Sequence, residues 1–109
     1  MDDENIVYEV EIDPAANDRI YGHFEFLARV SETAAEKLLE GIVADIHSLE
    51  NMPYRNPVYD RSYLPKGKYR HMISCERYRI VYQINGSKVY VDDIQDCRQD
   101  DNKSLLFDE

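Results

Sequence analysis

Arginine and tyrosine supply most of the chemistry available to this chain. Arg70, Arg77, Arg79 and Arg98 lie in its C-terminal half, and just upstream Tyr54, Tyr59 and Tyr63 are interleaved with Arg55 and Arg61. Guanidinium groups bind phosphate or carboxylate anions. Aromatic rings beside cations stack on the bases of single-stranded RNA. Each group also has a plainer use. The arginines can pair with Glu76, Asp92, Asp93 or Asp96. The tyrosines can bury their rings to fold down a long loop, which is the expectation for these three. His47 and His71 titrate in the range a general base requires, yet surface or packing roles are expected for both. Cys75 and Cys97 form no CxxC pair and no Cys/His cluster at zinc spacing, so neither a metal site nor a cofactor is expected.

The charge is divided unevenly. The 109 residues carry a formal net charge of −9, which taken whole argues against a nucleic-acid partner. Residues 1–50 hold 3 basic and 13 acidic side chains, whereas residues 51–98 hold 9 basic and 5 acidic ones. The stretch 99–109 has 1 basic and 4 acidic. The positive charge is therefore confined to the segment with the arginines and tyrosines, as a basic face within an acidic molecule. Length gives a single domain, 1–109, with a core over 7–98 and an acidic tail over 99–109. Nine Tyr and three Phe beside many Ile, Leu and Val exclude the disordered class. The acidic N-terminus is unlike a secretory signal and no apolar run approaches a membrane span, so a cytoplasmic protein with reduced thiols and no membrane partner is expected.

The elements that must position these residues follow from periodicity. Val7-Tyr8-Glu9-Val10-Glu11-Ile12 alternates with period two and predicts a strand. Asp13-Pro14 then opens a helix. Ala16, Ile20, Phe24 and Leu27 form its apolar stripe, and it is expected to end near Val30. Ser31 and Thr33 are both candidate caps for a second helix, Thr33 having capping-box spacing to Glu36. That helix carries a wide stripe of Ala35, Leu38, Leu39, Ile42, Val43, Ile46 and Leu49 and stops at Met52-Pro53. The short link between the helices predicts an antiparallel hairpin. A proline-punctuated loop over 51–67 precedes three strands, Tyr69–Ser74, Tyr78–Ile84 and Lys88–Gln95, with turns at Cys75-Glu76-Arg77 and Asn85-Gly86-Ser87.

The result is an α+β fold of order β-α-α-β-β-β, with the helical hairpin on one face of a mostly antiparallel four-stranded sheet and the other face left partly open. Strand parity places Tyr78, Ile80, Tyr82 and Ile84 toward the core, and Arg77 and Arg79 on the open face. Arg70 shares a face with Met72 and Ser74, opposite Tyr69, His71 and Ile73; whether it joins Arg79 depends on register. Leu105-Leu106-Phe107, in the tail, is expected to dock on the domain.

The element order together with Leu49-Glu50-Asn51-Met52-Pro53, Tyr69-Arg70, Tyr78-Arg79-Ile80-Val81-Tyr82-Gln83 and Val89-Tyr90-Val91-Asp92-Asp93-Ile94 followed by Arg98 resembles the RelE/ParE superfamily of toxins from bacterial type II toxin–antitoxin systems. The resemblance spans roughly residues 7 to 100. It implies a growth-inhibiting protein, of the kind linked to plasmid stabilization, neutralised by a cognate antitoxin. RelE-like members cut mRNA on the ribosome without a metal, whereas ParE-like members act on a protein, DNA gyrase.

For the nuclease branch the resemblance implies catalytic roles for Arg70, Arg79 and Arg98, which would stabilise a pentacovalent phosphate. Met72 stands where that branch has a lysine, and no tyrosine or histidine follows Arg98 to move the proton. His71 cannot replace it beside Arg70, because the two have opposite parity. The ParE-like, protein-directed reading is therefore favoured, with Arg70, Arg77, Arg79, Arg61 and Tyr63 as the expected binding residues. The RelE-like nuclease is the alternative, and a non-toxic remnant that only binds its antitoxin is a third.

Overall fold

The computed structural model describes residues 6–98. The acidic tail and Leu105-Leu106-Phe107 lie outside the described residues. Strand β1 (Glu9–Ile12) is followed by helices α1 (Pro14–Ala28) and α2 (Glu32–Ser48), then by β2 (Tyr69–Ser74), β3 (Tyr78–Asn85) and β4 (Lys88–Asp96). The sheet order is β1-β4-β3-β2, with β1 parallel to β4 and the other pairs antiparallel. The expected α+β architecture is thus present, a helical hairpin on one face of a mixed four-stranded sheet. No helix among the described residues is long and apolar enough to cross a membrane.

Local chemistry accounts for the helix boundaries. Asp13 accepts from the Ala15 amide at 2.9 Å with Pro14 at the first helical position, so α1 starts where its cap dictates. It ends at Ala28, two residues before the expected Val30. Between the two candidate caps of α2, Ser31 is used: its Oγ accepts from Ala34 N at 3.1 Å. The Thr33–Glu36 capping box therefore lies inside the helix. The apolar stripe is narrower than expected, because Val43 is 52% exposed. α2 closes at Ser48, and Met52 adopts a left-handed φ of 50° before a 3-10 turn at Pro53–Arg55.

One core lies between the hairpin and the sheet. Ile20, Leu38, Ile42, Ile46 and Leu49 of the helical side meet Tyr78, Ile80, Tyr82, Val89, Val91 and Ile94 of the sheet. Val91 and Ile94 are three apart and share this face because a bulge interrupts the pairing of β3 with β4 beside Tyr82. Burial raises the pKa of the Tyr82 hydroxyl. This hydroxyl donates to Pro53 O at 2.6 Å and accepts from Asn56 Nδ2 at 3.0 Å, fastening the start of the long loop to the central strand. At the other end, Ser74 Oγ donates to Asp45 Oδ2 at 2.5 Å and ties β2 to α2. Cys75 and Cys97 are free thiols.

The β2–β3 turn lies at Cys75-Glu76-Arg77 as expected, and the β3–β4 turn is one residue shorter than expected. Gly86-Ser87 occupies the centre of the β3–β4 turn, with Gly86 at φ 63° and Asn85 retained in the strand. In the β2–β3 turn Cys75 and Glu76 hold φ values of 52° and 70° without a glycine, a strained arrangement for side-chain-bearing residues. This turn packs tightly on α2, since a Cβ added at Gly41 would lie 2.5 Å from Cys75 Sγ. Gly41→Ala is therefore expected to destabilise the protein, although alanine gains about 1 kcal/mol in helix propensity. Adding Cys75→Gly removes the obstacle and relaxes the turn, so the double variant should exceed Gly41→Ala by about 1–2 kcal/mol. Thermal unfolding of the two variants measures that difference.

Candidate functional site

The sheet face opposite the hairpin is less open than the sequence implies. The loop over 53–67 crosses to it and adds a short backbone pairing at the outer edge of β2, where Tyr59 N donates to Tyr69 O at 2.8 Å and His71 N to Pro57 O at 3.1 Å. Tyr59, Tyr69 and Val81 form a second buried cluster, with Leu64 packed against it. Burying the Tyr59 ring is thus what folds this loop down. Tyr63 is half-buried in the same loop, while Tyr54 is 48% exposed.

Around Tyr59 the structure gathers Arg61, His71, Arg79 and Gln95. The guanidinium carbons of Arg61 and Arg79 both lie 5.1 Å from the Tyr59 ring centroid, and the His71 ring lies 4.9 Å from it. The Tyr59 hydroxyl donates to Gln95 Oε1 at 3.2 Å and accepts from Arg61 Nε at 3.1 Å. Arg79 Nε donates to His71 Nδ1 at 2.9 Å. That bond requires the imidazole nitrogen to be unprotonated. Burial, followed by the positive charges of Arg79 and Arg61, holds the His71 pKa below its ordinary value of 6.5.

The folded-state pKa of His71 is lower than its unfolded-state pKa, so its contribution to stability is complete above the ordinary value and is lost as pH falls through the folded value. Urea unfolding between about pH 8 and about pH 5 should show a steeper acid loss for the native sequence than for His71→Phe, which cannot take up a proton. Equal slopes would contradict the neutral His71–Arg79 bond.

The other predicted site residues lie elsewhere. Register resolves the position of Arg70, which pairs with Tyr82 and so faces the helical side, away from Arg79. Its Nη1 donates to Asn56 O at 2.6 Å and Tyr54 O at 3.2 Å, and its guanidinium lies 5.1 Å from the Tyr54 ring centroid. Arg70 therefore holds the loop in place. Arg77 does not share the open face with Arg79, because it belongs to the turn and strand parity does not govern it. It lines a cleft of about 290 Å³ with Leu27, Lys37 and Leu38 of the hairpin. It pairs with Asp96 at 3.7 Å. Arg98 also pairs with Asp96, at 3.2 Å, and borders a separate hollow beside Gly22, His23 and Phe26. Burial raises the Asp96 pKa, but hydrogen bonds from Arg98 and the charges of Arg98 and Arg77 outweigh it and hold the carboxyl below its usual range. Ion pairing thus describes Arg77 and Arg98, while Arg79 pairs with no carboxylate among the described residues.

Arg70, Arg79 and Arg98 are therefore not assembled into one constellation. His47 is a surface residue, 3.4 Å from Glu50. His71 and Gln95 are the members of the Tyr59 cluster that the sequence reading passed over as site residues. A signal for His71 was available, since its odd position on β2 places it opposite the core face, as parity does for Arg79. His23 was also missed. Its Nε2 lies 3.0 Å from Ile94 O and covers the β4 edge beyond the end of β1, a role with no sequence signature. No group of three or more His, Cys, Asp or Glu among the described residues is arranged to hold a metal.

A family model described as the ParE toxin of the type II toxin-antitoxin system, parDE, matches residues 10–101. Among solved structures, the chain is similar to one from the chromosomal ParDE TA system of P. aeruginosa. That likeness has a TM-score of 0.62 at 16% identity and covers 83% of this chain and 96% of that chain, and it concerns the fold. No curated protein matches the chain. The family match spans all four strands and both helices apart from the first residue of β1, and the chain belongs to the ParE toxin family of type II toxin–antitoxin systems.

Proposed function

We propose that this ParE-family toxin arrests bacterial growth from the cytoplasm by engaging a protein, DNA gyrase, and that a cognate antitoxin neutralises it. The observation that carries the protein-directed reading is the separation of Arg70, Arg79 and Arg98. Arg70 is engaged by loop carbonyls on the helical side, Arg79 stands on the opposite face, and Arg98 is paired with Asp96 beside α1. Metal-independent cleavage of RNA needs cations converging on one phosphate and a group to take the 2′-hydroxyl proton. The imidazole beside Arg79, His71, already uses Nδ1 to accept from it.

Induced expression in bacteria, with and without the antitoxin, tests the reading. Blocked replication and DNA damage with intact mRNA are expected, and co-expression of the antitoxin should restore growth. Rapid arrest of translation with cleaved mRNA would establish the nuclease instead. Unimpaired growth would identify a remnant that only binds its antitoxin.

A further inference from the structure

The Arg79 guanidinium is held in a fixed orientation and no acid among the described residues answers it. Its Nε is engaged by His71 at 2.9 Å and its plane lies beside the Tyr59 ring at 5.1 Å, which leaves the two terminal amino groups as a planar fork. The comparable groups of Arg77 and Arg98 are turned onto Asp96, and that of Arg70 onto backbone carbonyls. Arg61 brings a second guanidinium to the same ring.

We propose that the Arg79 fork, oriented by His71 and backed by Arg61, seats the carboxylate of an acidic side chain from a partner polypeptide. The inference rests on the protein-directed reading above and names the chemistry the partner must bring to this face. A polypeptide fits better than RNA because Tyr59 and Tyr69 are only 3% and 7% exposed. Single-stranded bases need an open aromatic surface to stack on. The Tyr59 ring is already flanked by the His71 ring and the two guanidinium groups. A carboxylate needs only the two-point fork.

The full chain can be titrated at low salt with a glutamate-rich octapeptide, and in parallel with inorganic phosphate and a uridine octamer, while arginine Nε–H resonances are followed. The octapeptide should bind most tightly and shift the Arg79 signal. Arg79→Lys should weaken it about tenfold, because lysine keeps the charge and loses the fork. Arg77→Lys should leave it unchanged. Should Arg79→Lys fold poorly, His71→Phe provides the second test. It keeps an aromatic ring against Tyr59, and should weaken the octapeptide while moving the Arg79 resonance. Octapeptide affinity indifferent to both variants would overturn the proposal, as would phosphate or the uridine octamer binding at least as tightly through Arg79. Growth arrest with intact mRNA alongside such a result would sink this site and leave the toxin reading standing; mRNA cleavage on induction would sink that reading whatever the peptide does.

Discussion

Ile42→Ala is expected to cost about 2–5 kcal/mol of stability. Ile42 is fully buried at the middle of α2 and belongs to the cluster that joins the hairpin to β3 and β4. Removing its distal carbons forfeits their transfer free energy and leaves a cavity that neighbours on two rigid elements fill only in part. A domain of this size is stable by about 5–15 kcal/mol, so the loss takes a large share of the total. Urea unfolding should show a lower midpoint with an unchanged denaturant slope. In cells, toxicity should decline with the folded fraction. A change below about 0.5 kcal/mol, the size usual at surface positions, would contradict the packing of α2 on the sheet.

Tyr59→Ala should have a comparable effect on stability, about 3–5 kcal/mol, and a larger one on function. The ring packs with Tyr69 and Val81 and is the common neighbour of Arg61, His71 and Arg79. Without it the loop over 53–67 keeps two backbone bonds to β2 but loses its buried anchor, and Arg79 loses the surface that fixes its plane. Tyr59→Phe retains the ring and removes only the hydroxyl contacts with Gln95 and Arg61, at a cost of about 1 kcal/mol. Unfolding measurements with limited proteolysis should therefore separate the two variants, Tyr59→Ala being cut in this loop and Tyr59→Phe resistant. Equal behaviour would show that the ring is not the anchor.

Much of the architecture is legible in periodicity. Alternation in the meander, the stripe of α2 and the Asp13-Pro14 start each report a local preference, and local preferences agree with the fold here. Long-range pairing is not legible in the same way. Nothing near Arg70 says that it lies opposite Tyr82 and not on the face of Arg79; the β2–β3 register decides that, and a slip of one residue would reverse it. Cys75-Glu76 gives no sign that both residues turn left-handed, since neither type favours positive φ. That turn is also why parity misplaces Arg77. The cover of the second sheet face was half visible: the long tyrosine-bearing loop suggested buried rings, but which ring and over which strand followed only from the tertiary pairing at Pro57 and Tyr59.

These placements also revise the meaning of the charge. The basic residues of 51–98 do not act as one patch. Arg70 secures the loop, Arg77 and Arg98 balance Asp96, and Arg79 is held beside Tyr59 together with Arg61. A single oriented fork on an acidic protein suits selective docking of a polypeptide better than a broad grip on a polyanion.

The most direct test of a protein-directed toxin is to add the purified chain to two reconstituted reactions, DNA supercoiling by gyrase and translation on ribosomes. Dose-dependent loss of supercoiling, reversed by antitoxin and weakened by Arg79→Lys, with full-length mRNA recovered from the ribosomes, is the predicted result. Unimpaired supercoiling together with mRNA cut on the ribosome would contradict it.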